Sequence, residues 1–321
     1  MARTTRLVKS VSKLILPVIF LSLAAIASAS IWLLHEVSQP SRLEYLVTPE
    51  KYGQLSAKGA QVTDESWQSS DGTTARGWLL RGTPNAPAVL LLHRYGADRS
   101  HVLNLGVKLN EATNFTVLMP DLRGHGPQPA VTQTSFGGCE ASDASAAIVF
   151  LRSLKTPEGL TLVGKDIGIY GLELGALSGL SAADIDKSVK ALVLDSVPAS
   201  SAHLLESSIA KRYPFASSVT GKLADLGTPA YYYGGCYKPE PACEIAKRLG
   251  ERRVMILGGV DAEMFQESGS RVAKCFPLNS IVETKTDLSP SGYSIFSASI
   301  EISSAYEQRV IDFLKQALTL Q

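Results

Sequence analysis

The side chains best placed to do chemistry stand where short apolar runs end. The run 167–170 passes into Gly171-Leu172-Glu173-Leu174-Gly175. Two glycines around one residue at that spacing permit the strained backbone that presents a side chain between a strand and a helix. Glu173 is the residue presented, a carboxylate rather than a hydroxyl or thiol. Four further groups follow other apolar runs: His93-Arg94-Tyr95-Gly96-Ala97-Asp98, Pro120-Asp121-Leu122-Arg123-Gly124-His125-Gly126, Gly258-Gly259-Val260-Asp261 and Gly292-Tyr293-Ser294. No CxxC occurs and no histidine stands near a cysteine at ligand spacing, so no metal site is expected, and no cofactor.

The elements that must position these groups are short β-rich runs alternating with helical patterns, the rhythm of a mostly parallel sheet covered by helices. Strands are expected at 61–70 and 74–81, as a hairpin turning at Asp71-Gly72, then at 88–92, 116–119, 167–170, 190–195, 253–258 and 279–284. Ser304-Ala305-Tyr306-Glu307 has the capping-box form, with Tyr306, Val310, Phe313, Leu314 and Ala317 on one helical face, which predicts the closing helix. The stretch 199–250, rich in Tyr, Pro and Gly, interrupts the alternation and reads as a lid-like insertion.

Taken in order, the turn around Glu173 and the loops at His93, Pro120 and Gly258 resemble the α/β-hydrolase superfamily, in particular its esterase and serine-aminopeptidase-like branch. The resemblance spans 43–321. It implies an α/β-hydrolase fold, an eight-stranded, mostly parallel sheet flanked by helices. It also implies a nucleophile at the turn, an acid after the seventh strand and a histidine after the eighth. The triad-equivalent positions are then Glu173, Asp261 and Tyr293, and the oxyanion-loop positions are Arg94, Tyr95 and Leu174, whose main-chain amides at Tyr95 and Leu174 would be the donors. Arg94 stands where the family usually has glycine.

The site therefore departs from the family at the nucleophile and at the base. The five histidines are His35, His93, His101, His125 and His203, none near the eighth strand. Members of the superfamily with a carboxylate nucleophile still need a histidine to activate the hydrolytic water, and an unperturbed phenol titrating near ~10 replaces it poorly. His93 and His125 are expected to fix loops, Asp121 and Arg123 to brace the same region, and Ser178 and Ser181 to pack. Arg94 and Glu173 are expected to form a compensating pair in the former oxyanion site.

Four basic residues, Arg3, Arg6, Lys9 and Lys13, precede the uncharged apolar run 14–34. That run is long enough to cross a hydrocarbon core of about 30 Å. The expected organisation is a basic cytoplasmic tail (1–13), a transmembrane signal-anchor (14–34), a linker (35–42) and the hydrolase domain (43–321), placed extracytoplasmically by the positive-inside rule. The alternative is secretion after cleavage, since Ala25-Ile26-Ala27 and Ala27-Ser28-Ala29 have the small-x-small form. Four cysteines suit an oxidising compartment. A bridge is expected between Cys236 and Cys243 across the intervening turn, with Cys139 and Cys275 either paired or left as buried thiols. With a net charge of +1 and scattered cations, nucleic acid is not an expected partner. The functional expectation is a membrane-anchored, catalytically inactive homologue with a binding or scaffolding role toward a small molecule or protein. The alternative is an active esterase or peptidase with a non-standard site.

Overall fold

The computed structural model describes residues 2–41, 44–53 and 59–319. The side chains of Arg3, Arg6, Lys9 and Lys13, and the expected domain start at Leu43, lie outside the described residues. Contacts divide the chain into two compact units. The smaller comprises residues up to Ser38 together with 206–235, and the larger comprises the remainder.

In chain order the helices are α1 (Ala2–Ser38), the short α2 (Pro49–Gly53), α3 (Leu103–Thr113), α4 (Gly138–Ser153) and α5 (Leu174–Ile185). They continue with α6 (Ser201–Arg212), α7 (Ser217–Tyr231), α8 (Ala242–Lys247), α9 (Glu263–Ala273) and α10 (Ile300–Thr319). The strands are β1 (Val62–Gln68), β2 (Thr74–Leu80), β3 (Ala86–Leu92), β4 (Thr116–Pro120), β5 (Val163–Leu172), β6 (Val189–Asp195), β7 (Arg253–Gly259) and β8 (Ile281–Leu288).

The eight strands form one sheet in the order β1-β2-β4-β3-β5-β6-β7-β8. The β1–β2 hairpin and the β2–β4 pair are antiparallel and the remaining pairs are parallel. Strand alternation sends Val89 and Leu91 into a core shared with Leu103 and Leu109 of α3 and Val310 and Leu314 of α10. Leu90 and Leu92 point to the other face, where Gly179 of α5 lets the helix approach Ile169 of β5. Every buried strand of the parallel region therefore ends on the same edge of the sheet, which is where the loops of interest collect.

Four expectations are corrected. The closing helix starts at Ile300, so Ser304 to Glu307 lie inside α10 and do not cap it; Glu307 instead binds Lys108 of α3 at 2.6 Å and accepts from Asn104 at 2.5 Å. α1 continues to Ser38, so that residues 35–38 of the expected linker are helical. The insertion 199–250 is not one body: residues 206–235 group with α1, while 199–205 and 236–250 belong to the sheet unit.

The fourth correction concerns the cysteines. Bridges join Cys139 to Cys236 and Cys243 to Cys275, with Cα separations of 5.1 and 5.3 Å. Proximity along the chain misled here, because Cys236 runs past the start of α4 so closely that a Cβ on Gly138 would collide with its carbonyl. Peptide mapping of unreduced, alkylated protein is expected to recover these two linked pairs. Cys139→Ala, which opens a 97-residue loop, and Cys243→Ala, which opens a 32-residue loop, should each cost roughly 2 to 4 kcal/mol, the longer loop more.

Candidate functional site

β5 runs without a break to Leu172, and Glu173 then adopts φ 51° and ψ −104° before α5 begins at Leu174. A positive φ in a non-glycine residue costs on the order of 1 to 3 kcal/mol. The flanking glycines are required by close approach: a Cβ at Gly171 would strike the Gly175 carbonyl, and one at Gly175 would strike that of Leu92. The strained turn of a nucleophile-bearing fold is thus kept in full, with a carboxylate at its apex.

That carboxylate is 3% exposed. It makes no capping bond to its own helix. One oxygen instead accepts the Tyr95 main-chain N–H at 2.8 Å. The Tyr293 hydroxyl is hydrogen-bonded to the same carboxylate, and the nearby N-terminal end of α5 further favours a negative charge. Burial first, then the Glu173 charge, pushes the Tyr293 phenol above its ordinary range. At neutral pH Tyr293 is therefore a proton donor to Glu173 and not a base.

The direct Arg94–Glu173 ion pair expected from the sequence is replaced by a bridged arrangement. The Arg94 guanidinium lies 5.1 Å from the centre of the Tyr293 ring, and its Nη1 donates to the Tyr95 carbonyl at 3.2 Å. Arg94 thus covers the ring whose hydroxyl holds the carboxylate, and stiffens the residue whose amide does the same.

Asp261 stands after β7 as expected, but its two oxygens accept from the Ser291 amide at 2.8 Å and the Ser291 hydroxyl at 3.1 Å. Ser291 in turn accepts from the Tyr293 amide at 3.2 Å. The acid position now sets the turn that carries Tyr293 and does not orient a base. Leu174, the other expected amide donor, is the fully buried first residue of α5.

The two histidines of the neighbouring loops are both fixed. His93 Nε2 accepts from Leu122 N–H at 3.0 Å while its Nδ1 lies 2.8 Å from the Arg94 carbonyl. His125 Nε2 accepts from Gly96 N–H at 3.0 Å while its Nδ1 lies 2.9 Å from the Arg123 carbonyl. Each ring must carry its proton on Nδ1, and each loop supplies a ring to the other. Burial lowers both pKa values, His93 well below the usual imidazole range and His125 to about 4. As expected, Arg123 braces the region by pairing with Asp143 at 2.7 Å and Asp71 at 2.9 Å, and Ser178 and Ser181 back-bond within α5.

Asp195, which the sequence did not single out, and Asp121, named above as a brace, complete the frame. Asp195, at the buried end of β6, accepts from the Gly292 amide at 2.8 Å, the Ser196 hydroxyl at 2.8 Å and the Tyr306 hydroxyl at 2.5 Å. Burial raises its pKa. Asp121 accepts from the Arg99 amide at 2.9 Å and the Tyr45 hydroxyl at 2.8 Å, and burial raises it to about 6. The signal available for Asp195 was a lone carboxylate closing the apolar run Ala191-Leu192-Val193-Leu194. A separate cleft of about 380 Å³, lined by Tyr45, Trp67, Arg76, Asp121 and Pro127 among others, includes none of Glu173, Asp261 and Tyr293. Among the described residues no cluster of His, Cys, Asp and Glu is arranged to hold a metal.

Sheet order, strained turn and loop positions together are those of the α/β-hydrolase fold, and solved structures agree. An esterase of Pyrococcus furiosus superimposes with a TM-score of 0.63 at 20% identity, covering 87% of this chain and 98% of the esterase. An α/β hydrolase from a Penicillium species gives 0.58 at 16% identity, over 81% of this chain and 100% of that one. A dienelactone hydrolase from Anabaena variabilis gives 0.54 at 14% identity, over 81% and 99%. In sequence the chain is similar to a thiohydrolase of Eupenicillium brefeldianum, 25% identical over 128 residues, which spans 40% of this chain and only 40% of that protein's length. No family model matches the chain. The chain has the α/β-hydrolase fold, preceded by one helix long and apolar enough to cross a membrane.

The buried histidines give a pH dependence whose sign is fixed. Folding holds His125 neutral with a pKa of about 4 against 6.5 unfolded, so between those values the unfolded chain binds a proton that the folded chain refuses. This group's contribution is full above pH 6.5, and roughly 3 kcal/mol is lost as pH falls to about 4. Melts of wild type and His125→Asn across that window are expected to show a shallower acid loss in the variant.

Proposed function

We propose that this is a membrane-anchored α/β-hydrolase-fold protein that does not carry out acyl transfer and uses the inherited fold for binding or scaffolding. The observation that carries this reading is the Glu173 carboxylate oxygen 2.8 Å from the Tyr95 amide. In an acyl-transfer enzyme of this fold, that amide would help to stabilise the oxyanion of the tetrahedral intermediate. Here an internal anion of similar charge takes it permanently, so a substrate carbonyl would have to displace a buried, doubly held carboxylate. Attack by Glu173 itself is disfavoured for a second reason, since the ester so formed would need a water-activating base and Tyr293 is held protonated. The anchoring half of the proposal is supported by the apolar helix Ile15–Ser38, of mean hydropathy 2.2, and by the two disulfides, which suit an oxidising compartment.

Full-length protein incubated with a fluorophosphonate probe and with short p-nitrophenyl esters is expected to show neither labelling nor turnover. Probe adduct at a defined serine accompanied by ester turnover would establish a working hydrolase, as the esterase and thiohydrolase names of its relatives suggest for those proteins, and would overturn the reading. The variant Arg94→Gly, Glu173→Ser, Tyr293→His restores the family's residue types at three positions. It is expected to acquire weak esterase activity that Glu173→Ser alone lacks.

A further inference from the structure

Within the smaller unit, α7 carries an apolar face whose occupant can be read from its neighbours. Val219 and Leu226, 60 and 65% exposed, stand seven residues apart and so lie on one side of α7, and Phe215 and Tyr233, 104 and 92% exposed, flank its two ends. A different side of α7 is fastened to α1. Ala224 and Gly227 are buried, and a Cβ on Gly227 would press on Ser30 and Leu34. The Tyr231 and Ser38 hydroxyls lie 2.9 Å apart, and Arg212, at the end of α6, pairs with Glu36 at 2.7 Å.

The stretch of α1 so gripped is where its apolar length ends. Residues 15–29 of that helix are exposed throughout, and Trp32, one turn further on, is 60% exposed. Residues 213–221 carry no charge, with Lys211 and Arg212 before them and Lys222 after. An uncharged, aromatic-containing segment set between cations suits the boundary of headgroups and acyl chains, where long basic side chains reach back to the phosphates. Scattered apolar side chains on a surface are ordinary. This stripe is distinguished by belonging to the same compact unit as a helix whose own exposed surface calls for hydrocarbon.

We propose that the outer face of α7 lies in the interfacial layer of the bilayer that α1 crosses, so that the chain is held at the membrane by a packed pair of helices. The proposal rests on the membrane-anchor reading above and adds to it a second, non-spanning contact made by the segment 206–235.

The test is hydroxyl-radical footprinting of the full-length protein in phosphatidylcholine and phosphatidylglycerol nanodiscs loaded with a single copy. Leu278 and Phe296 of the sheet unit, 106 and 54% exposed, serve as solvent references. Corrected for intrinsic reactivity, Phe215, Val219, Leu226 and Tyr233 are expected to be oxidised about tenfold less than these references, because burial at the acyl boundary excludes water. Oxidation of the stripe at the reference rate, with residues 15–29 still protected, would overturn the proposal and leave the anchor standing. Oxidation of both would remove the anchor reading and the proposal with it. Protection that appears only in discs carrying two copies would assign the stripe to a second chain and equally overturn it.

Discussion

The structure turns on one hydrogen bond, from the Tyr95 amide to the Glu173 carboxylate at 2.8 Å. A buried carboxylate without partners costs several kcal/mol, and the fold inherited here supplies the partners in place. The loop after β3 brings an amide, the turn after β8 brings a phenol, and the start of α5 brings the positive end of a helix. The features that would stabilise a transient oxyanion in an enzyme of this fold are the ones that meet the Glu173 carboxylate here. Glu173 at the apex of the turn thereby ties the start of α5 to the loop after β3.

Asp261 serves Ser291 and so the turn that carries Tyr293. Asp195 holds the same turn from the other side through Gly292. His93 and His125 lace the loops after β3 and β4 to each other through neutral rings. Asp261, Asp195, His93 and His125 each take at least one main-chain N–H of these loops, which keeps the loops in place.

Much of this was legible in the sequence. The spaced glycines around Glu173 required a strained turn, the apolar runs located the strands along the chain, and the missing histidine after β8 was visible by simple inspection. What escaped was decided by distance in space. Cys236 and Cys243 are neighbours along the chain, yet each pairs with a cysteine brought to it by α4 or α9. Arg94 and Glu173 do both approach Tyr293, but the guanidinium settles on its ring while the phenol and the Tyr95 amide meet the carboxylate. The cap expected at Ser304 failed for a related reason: Glu307 is drawn to Lys108 on α3, and the helix gains an extra turn ahead of it.

The claim that Glu173 is held as an internal anion is tested most directly by a double-mutant cycle between Glu173→Ala and Tyr293→Phe, read as unfolding free energy of the full-length protein at neutral pH. A buried hydroxyl bonded to a buried carboxylate predicts a coupling of about 1 to 3 kcal/mol, with the double variant less destabilised than the sum of the single ones. Effects that add to within about 0.5 kcal/mol would mean that the two side chains do not hold each other, and would contradict the account.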